Sequence, residues 1–251
     1  MGDKGQSFTP DRDQLRAIEA GIDQPLAIAA GPGTGKTQTM TQRFLALARH
    51  FAPEEILALT FTNKAAEEMS RRLEKEGLDP QRLWVSTFHA LAARLLRESP
   101  FNLGLDVNFR ILEENQQELL LRQCIRLFVI SHFSELRDLK ERFSINLRSL
   151  IAEFPRVIRR IKLHLLTPEE FRKLSREKAL QFRQTDSSHS EEETELELAL
   201  IDLLAEAYAS YQDELLRQNA LDFADLLLNL YHLLQDEEYR LRCRKRFKYI
   251  L

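Results

Sequence analysis

The first hundred residues alternate short apolar runs with apolar residues at helical spacing. The apolar runs predict three β-strands, at Leu26–Ala29, Ile56–Thr60 and Leu83–Ser86. The helical spacing predicts four helices, at Asp11–Ala20, Thr37–Arg49, Lys64–Lys75 and Ala90–Arg97. Strands that alternate with helices are typical of a parallel sheet covered by helices, so this region is predicted to be α/β.

The pattern changes from about Phe101, where strand-like runs give way to longer helical patterns. Helices are predicted at Gln116–His132, Leu147–Leu166, Pro168–Leu180 and Glu191–Gln218, the second of them broken by Pro155. The small polar stretch Thr185–Ser190 is predicted to be a loop. The middle third of the chain is therefore predicted to be all-helical.

The last segment returns to a mixed pattern. Asp222 is predicted to cap a helix that runs through Leu234, Asp236–Arg246 gives another helix, and Phe247–Leu251 reads as a strand. No internal repeat is visible. The arrangement predicts a parallel-sheet domain built from residues 1–102 and 219–251, with an all-helical insertion domain at residues 103–218.

Composition limits the classes of function. Charged residues make up 30% of the 251 residues and the net charge is −3, so any nucleic-acid site must be local. Cys124 and Cys243 lack metal-ligand spacing, which favours a reducing, cytoplasmic setting. We find no apolar run of about 18 residues that would predict a membrane span, and Met1–Ser7 is too polar for a secretory signal.

A glycine-rich stretch lies between the first predicted strand and the helix that follows it. Ala30–Thr37 reads AGPGTGKT, a phosphate-binding loop of Walker A type with Ala30 in place of the usual first glycine. Glycines allow a backbone whose N–H groups form a nest for phosphates, and the following helix adds its dipole. Lys36 would contact the β- and γ-phosphates, and the Thr37 hydroxyl would bind Mg²⁺. The alternative is a turn that binds nothing; the order strand, loop, helix favours a nucleotide.

Polar and aromatic residues follow the next two predicted strands. Thr60–Asn63 ends one strand and Thr87–His89 ends the other, at the edge where parallel sheets bind ligands. Hydroxyls, amides and backbone N–H groups can hold nucleic-acid phosphates, and an aromatic ring can stack on a base. The alternative is that the threonine and asparagine only cap a helix, that Phe61 belongs to the core and that His89 is structural.

Gln14 precedes the first predicted strand. Its amide offers one donor and one acceptor, which suits the edge of an adenine. Without the phosphate loop, an exposed helical glutamine would be the better interpretation.

Taken together, these segments resemble the first four motifs of the superfamily 1A DNA helicases, the UvrD, Rep and PcrA family. The motifs are Gln14, the phosphate loop, Thr60–Ala66 and Thr87–Leu91. Leu221–Leu227 (LDFADLL) resembles the segment after the helical insertion of that family. The resemblance is strong over residues 8–97 and 219–251 and weak over 113–218. The string TFTNKAA is more diagnostic than the loop, which many ATPases share.

The resemblance implies the N-terminal portion of an ATP-dependent DNA helicase, with a RecA-like P-loop fold, an ATP and Mg²⁺ requirement and single-stranded DNA or DNA junctions as partner. The implied nucleotide contacts are Gln14, Ala30, Gly31, Pro32, Gly33, Thr34, Gly35, Lys36, Thr37, Gln38 and Arg72, of which Lys36 and Thr37 are catalytic and Thr37 binds the metal ion. The implied DNA contacts are Phe61, Thr62, Asn63, Thr87, Phe88 and His89.

The sequence departs from the family pattern in two places. Gln14 lies five residues after Thr9, where many members have three. In the family, the strand after the Asp222 segment continues into Asp-Glu-x-x-Asp, whose carboxylates organise Mg²⁺ and water. The sequence ends at Leu251, and only Phe109–Glu114 offers another apolar run followed by acids. The resemblance thus implies that a second RecA-like domain is missing and that this chain alone hydrolyses ATP poorly or not at all.

Other functions remain open from sequence. The parent could be a helicase–nuclease of DNA repair, or the chain could bind ATP and DNA without turnover; metabolite kinases share the loop but would not explain the later motifs. Two basic clusters could contact DNA or be solvated helix faces. They are Arg156, Arg159, Arg160, Lys162 and His164, and Arg240, Arg242, Arg244, Lys245, Arg246 and Lys248.

Overall fold

The computed structural model describes residues 9–185 and 190–251, so Met1–Ser7 and most of the predicted loop at 185–190 lie outside the described residues. The chain is a mixed α/β protein that divides into two compact units. Unit 1 comprises Met1–Leu91 and Gln235–Leu251, and unit 2 comprises Ala92–Leu234. These limits differ from the predicted domain division, which stays a prediction.

The strands in chain order are β1 (Ile56–Thr60), β2 (Trp84–Thr87), β3 (Arg110–Ile111), β4 (Ala220–Leu221) and β5 (Tyr249–Ile250). The helices are α1 (Arg12–Glu19), α2 (Lys36–Leu47), α3 (Asn63–Lys75), α4 (Phe88–Glu98), α5 (Glu114–Ser131), α6 (Phe133–Phe143), α7 (Leu147–Leu163), α8 (Pro168–Thr185), α9 (Glu191–Arg217), α10 (Phe223–Leu233) and α11 (Glu237–Arg246). Short 3-10 helices occupy Pro53–Glu55, Pro80–Arg82 and Pro100–Leu103.

Unit 1 contains a parallel sheet with the strand order β2-β1-β5. Leu57 lies opposite Trp84 on one side and Ile250 on the other. A core of apolar side chains from α2, β1 and α3 covers this sheet, including Phe44, Ile56 and Met69, none of which is accessible to solvent. The parallel sheet and its helices confirm the α/β prediction for this region.

The predicted strand Leu26–Ala29 is wrong as an element of the described sheet. Leu26 and Ile28 are nearly half exposed, and the segment has no ladder partner among the described residues. An open groove lined by Leu26, Ile28, Met40 and Ile250 lies between this segment and β5. Apolar character suits a residue to a strand, but strand pairing also requires a neighbouring backbone at hydrogen-bonding distance.

Unit 2 is mainly helical. Its core gathers side chains of α5, α7 and α9, with Leu121, Ile158, Tyr208 and Tyr211 fully buried. Of the described helices, the 27-residue α9 is the longest, and none of them combines the length and apolar character needed to cross a membrane.

Residues 103–218 are not wholly helical, because β3 falls within them and pairs in parallel with β4. The Arg110 N–H donates to the Asn219 carbonyl at 2.9 Å, and the Leu112 N–H donates to the Leu221 carbonyl at 2.8 Å. Phe109 and Leu112 are buried on either side of β3. The pairing satisfies backbone groups that buried side chains draw into the interior.

The predicted break at Pro155 is absent, because α7 runs without interruption from Leu147 to Leu163. A proline inside a helix removes one hydrogen bond and costs about 3 kcal/mol. Phe154, Ile158 and Ile161 are buried along the same helix, and their burial at roughly 1.5–3 kcal/mol each exceeds that cost. The helix α6 was not predicted.

Candidate nucleotide and nucleic-acid site

Two glycines give the loop Ala30–Thr37 its shape. Gly33 has φ +75° and Gly35 has φ +76°, both in the left-handed region that other residues avoid. Gly35 is also the N-cap of α2, and a methyl group on it would lie 3.2 Å from the Gln14 Nε2 atom. The backbone angle favours glycine at position 35, and any larger residue there would also push the Gln14 amide aside.

The first turn of α2 begins without a side-chain cap. The Lys36 Nζ atom donates to the carbonyls of Ala30 at 3.0 Å and Gly31 at 2.7 Å, and the Thr34 hydroxyl donates to the Gly31 carbonyl at 2.8 Å. Pro32 is exposed on the same loop, and Thr37 follows Lys36 in the first turn. An ammonium group beside the uncapped, positive end of a helix fits an anionic group such as a phosphate.

Gln14 lies against this loop, twenty positions away in sequence. Its Nε2 atom donates to the Thr34 carbonyl at 3.0 Å, and its Oε1 atom accepts the Asp11 N–H at 3.0 Å in the capping box of α1. The structure therefore brings Gln14 to the predicted nucleotide loop, with both ends of its amide bonded within the protein.

Arg72 lies beside the first turn of α2. Its guanidinium donates to the Gln38 side-chain oxygen and forms an ion pair with Glu68 one turn earlier on α3. Arg72 and Gln38, both predicted nucleotide contacts, are thus in direct contact with each other.

The predicted site does not include Arg43, which is buried next to it in sequence. Its side chain is 4% exposed and donates to the carbonyls of Ile18, Ala20 and Gly21 and to the Tyr249 hydroxyl. The signal that could have found it is a charged residue directly before Phe44 on the apolar face of the predicted helix.

Phe61 and Phe88 form an exposed aromatic pair at the carboxyl ends of β1 and β2. Phe61 is 95% exposed and Phe88 is 47% exposed. Their ring centroids lie 6.4 Å apart with the planes at 56°. The interpretation of Phe61 as a core residue is therefore wrong, because a core ring would be covered by neighbours.

Polar residues surround this pair, and we call the set Phe61, Thr62, Asn63, Thr87, Phe88 and His89 the β1–β2 surface. Thr62 caps α3 by accepting the Ala65 N–H at 3.2 Å. The Thr87 hydroxyl donates to the Asn63 side-chain oxygen at 3.3 Å. Burial lowers the pKa of His89, so its imidazole is neutral at pH 7. The predicted DNA contacts thus lie on adjoining strand ends within unit 1.

Lys162 cannot take part in the predicted basic surface of α7. Its side chain has no solvent exposure and forms ion pairs with Asp222 and Asp225 in unit 2. Arg156 pairs with Glu153, and Arg159 pairs with Glu118. Most of the charge of this cluster is therefore matched by carboxylates of the same unit.

The basic cluster of α11 differs from that of α7. The Arg242 guanidinium lies over the Tyr239 ring and that of Arg246 over the Trp84 ring. Arg240, Arg244 and Lys245 are exposed. The last turn of α11 is basic, and its positive charges interact favourably with the negative end of the helix dipole.

The segment Phe109–Glu114, the apolar run followed by acidic residues noted in the sequence, leads into α5. Glu113 is the N-cap of that helix, and its N–H donates to the Gln116 side-chain oxygen at 3.1 Å. Within residues 9–185 and 190–251 we find no group of three or more His, Cys, Asp or Glu side chains that could hold a metal ion.

A glycine loop that leads into an uncapped helix beside a parallel sheet is typical of the P-loop class of proteins. A model of the UvrD/REP helicase N-terminal domain matches residues 11–251. The chain therefore belongs to the UvrD/REP helicase N-terminal domain family, which confirms the resemblance found in the sequence.

Relatives of known name agree with this family. The chain is 33% identical over 226 residues to the ATP-dependent DNA helicase PcrA of Staphylococcus epidermidis and 33% identical over 218 residues to that of Bacillus subtilis. The matches cover 89% and 86% of this chain but only 26% and 25% of those helicases. PcrA of Staphylococcus aureus is 30% identical over 226 residues, with the same 26% coverage. The chain thus spans about a quarter of the length of the relatives it matches.

Proposed function

We propose that this chain is the ATP- and single-stranded-DNA-binding N-terminal part of an ATP-dependent DNA helicase. The fold would be a RecA-like P-loop domain carrying a largely helical insertion formed from most of residues 103–218. The observation that carries the proposal is the exposed Phe61 beside Phe88 at the strand ends of unit 1, which also holds the loop Ala30–Thr37. A plain nucleotide-binding domain has no need of an exposed aromatic pair at that edge.

In the nucleotide site, Lys36 exchanges its contacts with the Ala30 and Gly31 carbonyls for phosphate oxygens. The N–H groups of the first turn of α2 donate to the same phosphates, and the Thr37 hydroxyl binds Mg²⁺. Arg72 reaches the triphosphate from α3, and Gln14 faces the adenine edge. In the full-length protein, binding and hydrolysis of MgATP would supply the free energy for movement along DNA.

On the β1–β2 surface, Phe61 and Phe88 stack on bases of a single strand. Stacking is tolerant of sequence, because every base offers a flat face. Thr62, Asn63, Thr87 and His89 bond to the phosphates. Because burial lowers the pKa of His89, we expect its contact to be mainly a hydrogen bond and not an ion pair.

Turnover needs more than these residues provide. A P-loop ATPase requires a carboxylate to organise Mg²⁺ and the attacking water, and cationic groups to stabilise the γ-phosphate charge. We propose that these groups lie in further parts of a longer protein, such as a second RecA-like domain. The chain by itself binds nucleotide and hydrolyses it slowly or not at all.

The nucleotide site is tested with Lys36→Ala and the matched control Lys75→Ala, an exposed lysine of α3. Titration of the chain with a fluorescent ATP analogue is expected to show at least a tenfold weaker affinity for Lys36→Ala and no change for the control. In the full-length protein, Lys36→Ala should abolish DNA-stimulated ATP hydrolysis. Undiminished hydrolysis in that variant would refute the assignment.

The DNA surface is tested with Phe61→Ala and Phe61→Trp, measured by fluorescence anisotropy of a labelled oligothymidylate. Loss of one stacking contact is worth about 1–3 kcal/mol, so Phe61→Ala should weaken binding by roughly 5- to 150-fold. Phe61→Trp should preserve it. Single-strand binding should weaken as salt rises, because phosphate contacts release counterions. If the two variants bind the oligothymidylate equally well, Phe61 does not contact the DNA.

A further inference from the structure

Arg43 joins three elements of unit 1. It lies on α2, seven residues after Lys36, and its guanidinium reaches the end of α1 and the side chain of Tyr249 on β5. The donor–acceptor distances are 2.9 Å to the Ile18 carbonyl, 3.2 Å to the Gly21 carbonyl and 2.8 Å to the Tyr249 hydroxyl, with a further bond to the Ala20 carbonyl. A buried arginine is usually paired with a carboxylate, but the bonding partners of Arg43 among the described residues are neutral oxygens.

The three carbonyls belong to the end of α1 and the residues just after it. The last carbonyls of a helix have no partner within the helix, and they carry the negative end of its dipole. A buried guanidinium with several donors in a fixed plane satisfies these carbonyls and fits their charge. Arg43 therefore acts as the C-terminal cap of α1, supplied by a different helix.

The helix α1 packs along α2 but buries little of its own surface. It has only eight residues, Ala17 is its buried side chain and Leu15 is 42% exposed. Helices this short are unstable alone in water, so tertiary contacts must hold α1 in place. Near the start of α1, Gln14 donates to the Thr34 carbonyl of the phosphate loop. At the end of α1, Arg43 donates to the Ile18 carbonyl.

We propose that Arg43 is a positioning residue for recognition of the adenine base: it fixes the end of α1 to α2 and thereby holds Gln14 against the phosphate loop. The inference rests on the proposed function, in which Gln14 faces the adenine edge. Arg43 itself does not touch the nucleotide, because it lies roughly 10 Å along α2 from Lys36.

The consequence is a separation of base binding from phosphate binding. The triphosphate contacts come from Gly35, Lys36 and Thr37, which remain in place when α1 is released. The base contact comes from Gln14, whose position depends on α1. Loss of Arg43 should therefore weaken binding of ATP and leave binding of inorganic tripolyphosphate unchanged.

The test is calorimetric titration of the chain with ATP and with inorganic tripolyphosphate, both with Mg²⁺. Arg43→Met is expected to weaken ATP binding about tenfold, to the level of Gln14→Ala, with tripolyphosphate affinity within about twofold of the parent chain. Because both changes act on one contact, the double variant should bind ATP no more weakly than either single variant. Tyr249→Phe, which removes only the bond to β5, should keep the preference for ATP.

Three outcomes overturn the inference: unchanged ATP affinity in Arg43→Met, equal loss of both ligands, or losses that add in the double variant. If Arg43→Met does not fold, Arg43→Lys decides the same comparison, because an ammonium can bond to only part of the carbonyl set and an intermediate loss confined to ATP is expected. If the unmodified chain binds neither ligand, the proposed nucleotide site is wrong. If Gln14→Ala leaves ATP affinity unchanged, the proposed base contact is wrong. Either result also overturns the inference about Arg43.

Discussion

Lys162 and Asp222 form an ion pair in which neither side chain has any exposure to solvent. Lys162 comes from α7, and Asp222 is the N-cap of α10. A second carboxylate, Asp225, lies 2.7 Å from the same ammonium. Tyr211 donates to Asp222 at 2.9 Å, and burial raises the pKa of Asp225. The cluster joins three helices of unit 2 through charges that water cannot stabilise.

Lys162→Met should destabilise the chain by about 3–5 kcal/mol. The substitution keeps the unbranched shape of the side chain but removes its ammonium group, which leaves two buried carboxylates without a counter-ion. Chemical denaturation followed by circular dichroism measures the free energy of unfolding. Arg156→Met is the matched control on the same helix, because its side chain is 80% exposed and its pair with Glu153 should contribute less than about 0.5 kcal/mol. Equal effects of the two substitutions would contradict a structural role for the buried pair.

The glycines of the loop should differ in their tolerance of alanine. Gly35→Ala meets both a positive φ and the Gln14 amide, so we expect a loss of roughly 2 kcal/mol of stability and weaker nucleotide binding. Gly33→Ala meets the positive φ in open space and should cost about 1 kcal/mol. Gly31→Ala meets only an ordinary contact of 3.7 Å and should change stability by less than about 0.5 kcal/mol. Thermal unfolding of the three variants checks the order, and a reversed order would exclude this backbone explanation.

His89 should contribute to stability in a pH-dependent way. Burial lowers its pKa in the folded chain below the usual 6.5, so the unfolded chain binds more protons at acid pH. The contribution is therefore complete above about pH 6.5 and is lost as the pH falls through the folded pKa. His89→Gln should flatten this part of the stability–pH curve.

At pH 7.5 the same variant should bind oligothymidylate with an unchanged dependence of affinity on salt concentration. A weaker salt dependence in the variant would show that His89 is charged.

The two free cysteines should react at different rates. Burial raises the pKa of Cys124 to about 11, whereas Cys243 is partly exposed. The thiolate is the reactive form, so iodoacetamide at pH 8 should modify Cys243 first and leave Cys124 unmodified until the chain unfolds. Peptide mass spectrometry identifies the modified residue, and Cys243→Ser provides a chain whose remaining thiol should be protected. Rapid modification of Cys124 in that variant would contradict its burial.

Elements with strong periodicity were predicted well from the sequence. The strand Ile56–Thr60 has the predicted limits, and α3 begins one residue before its predicted start. These segments carry their own pattern of buried positions, so local composition is sufficient. The segment Leu26–Ala29 and the pair β3–β4 were not predicted correctly, because pairing depends on a backbone that is distant in sequence.

The site divides in the same way. The loop Ala30–Thr37 and the strings around Phe61 and His89 are visible in the sequence, because glycine, lysine and aromatic residues at those spacings have few other uses. Arg43 and Lys162 looked like ordinary charges of helix faces. Their roles depend on carbonyls and carboxylates that only the folded chain brings to them.

The sequence by itself determined the family and the order of the motifs, and it predicted the phosphate-binding residues, since these depend on residue type and local spacing. The tertiary structure decided which side chains are exposed to a ligand and which are buried or bonded within the protein. It exposed Phe61, buried Lys162 between two carboxylates, placed Gln14 against the loop and bonded Arg43 to the carbonyls at the end of α1. The physical reason is that burial and partner choice are properties of packing, and packing joins residues that the sequence keeps far apart.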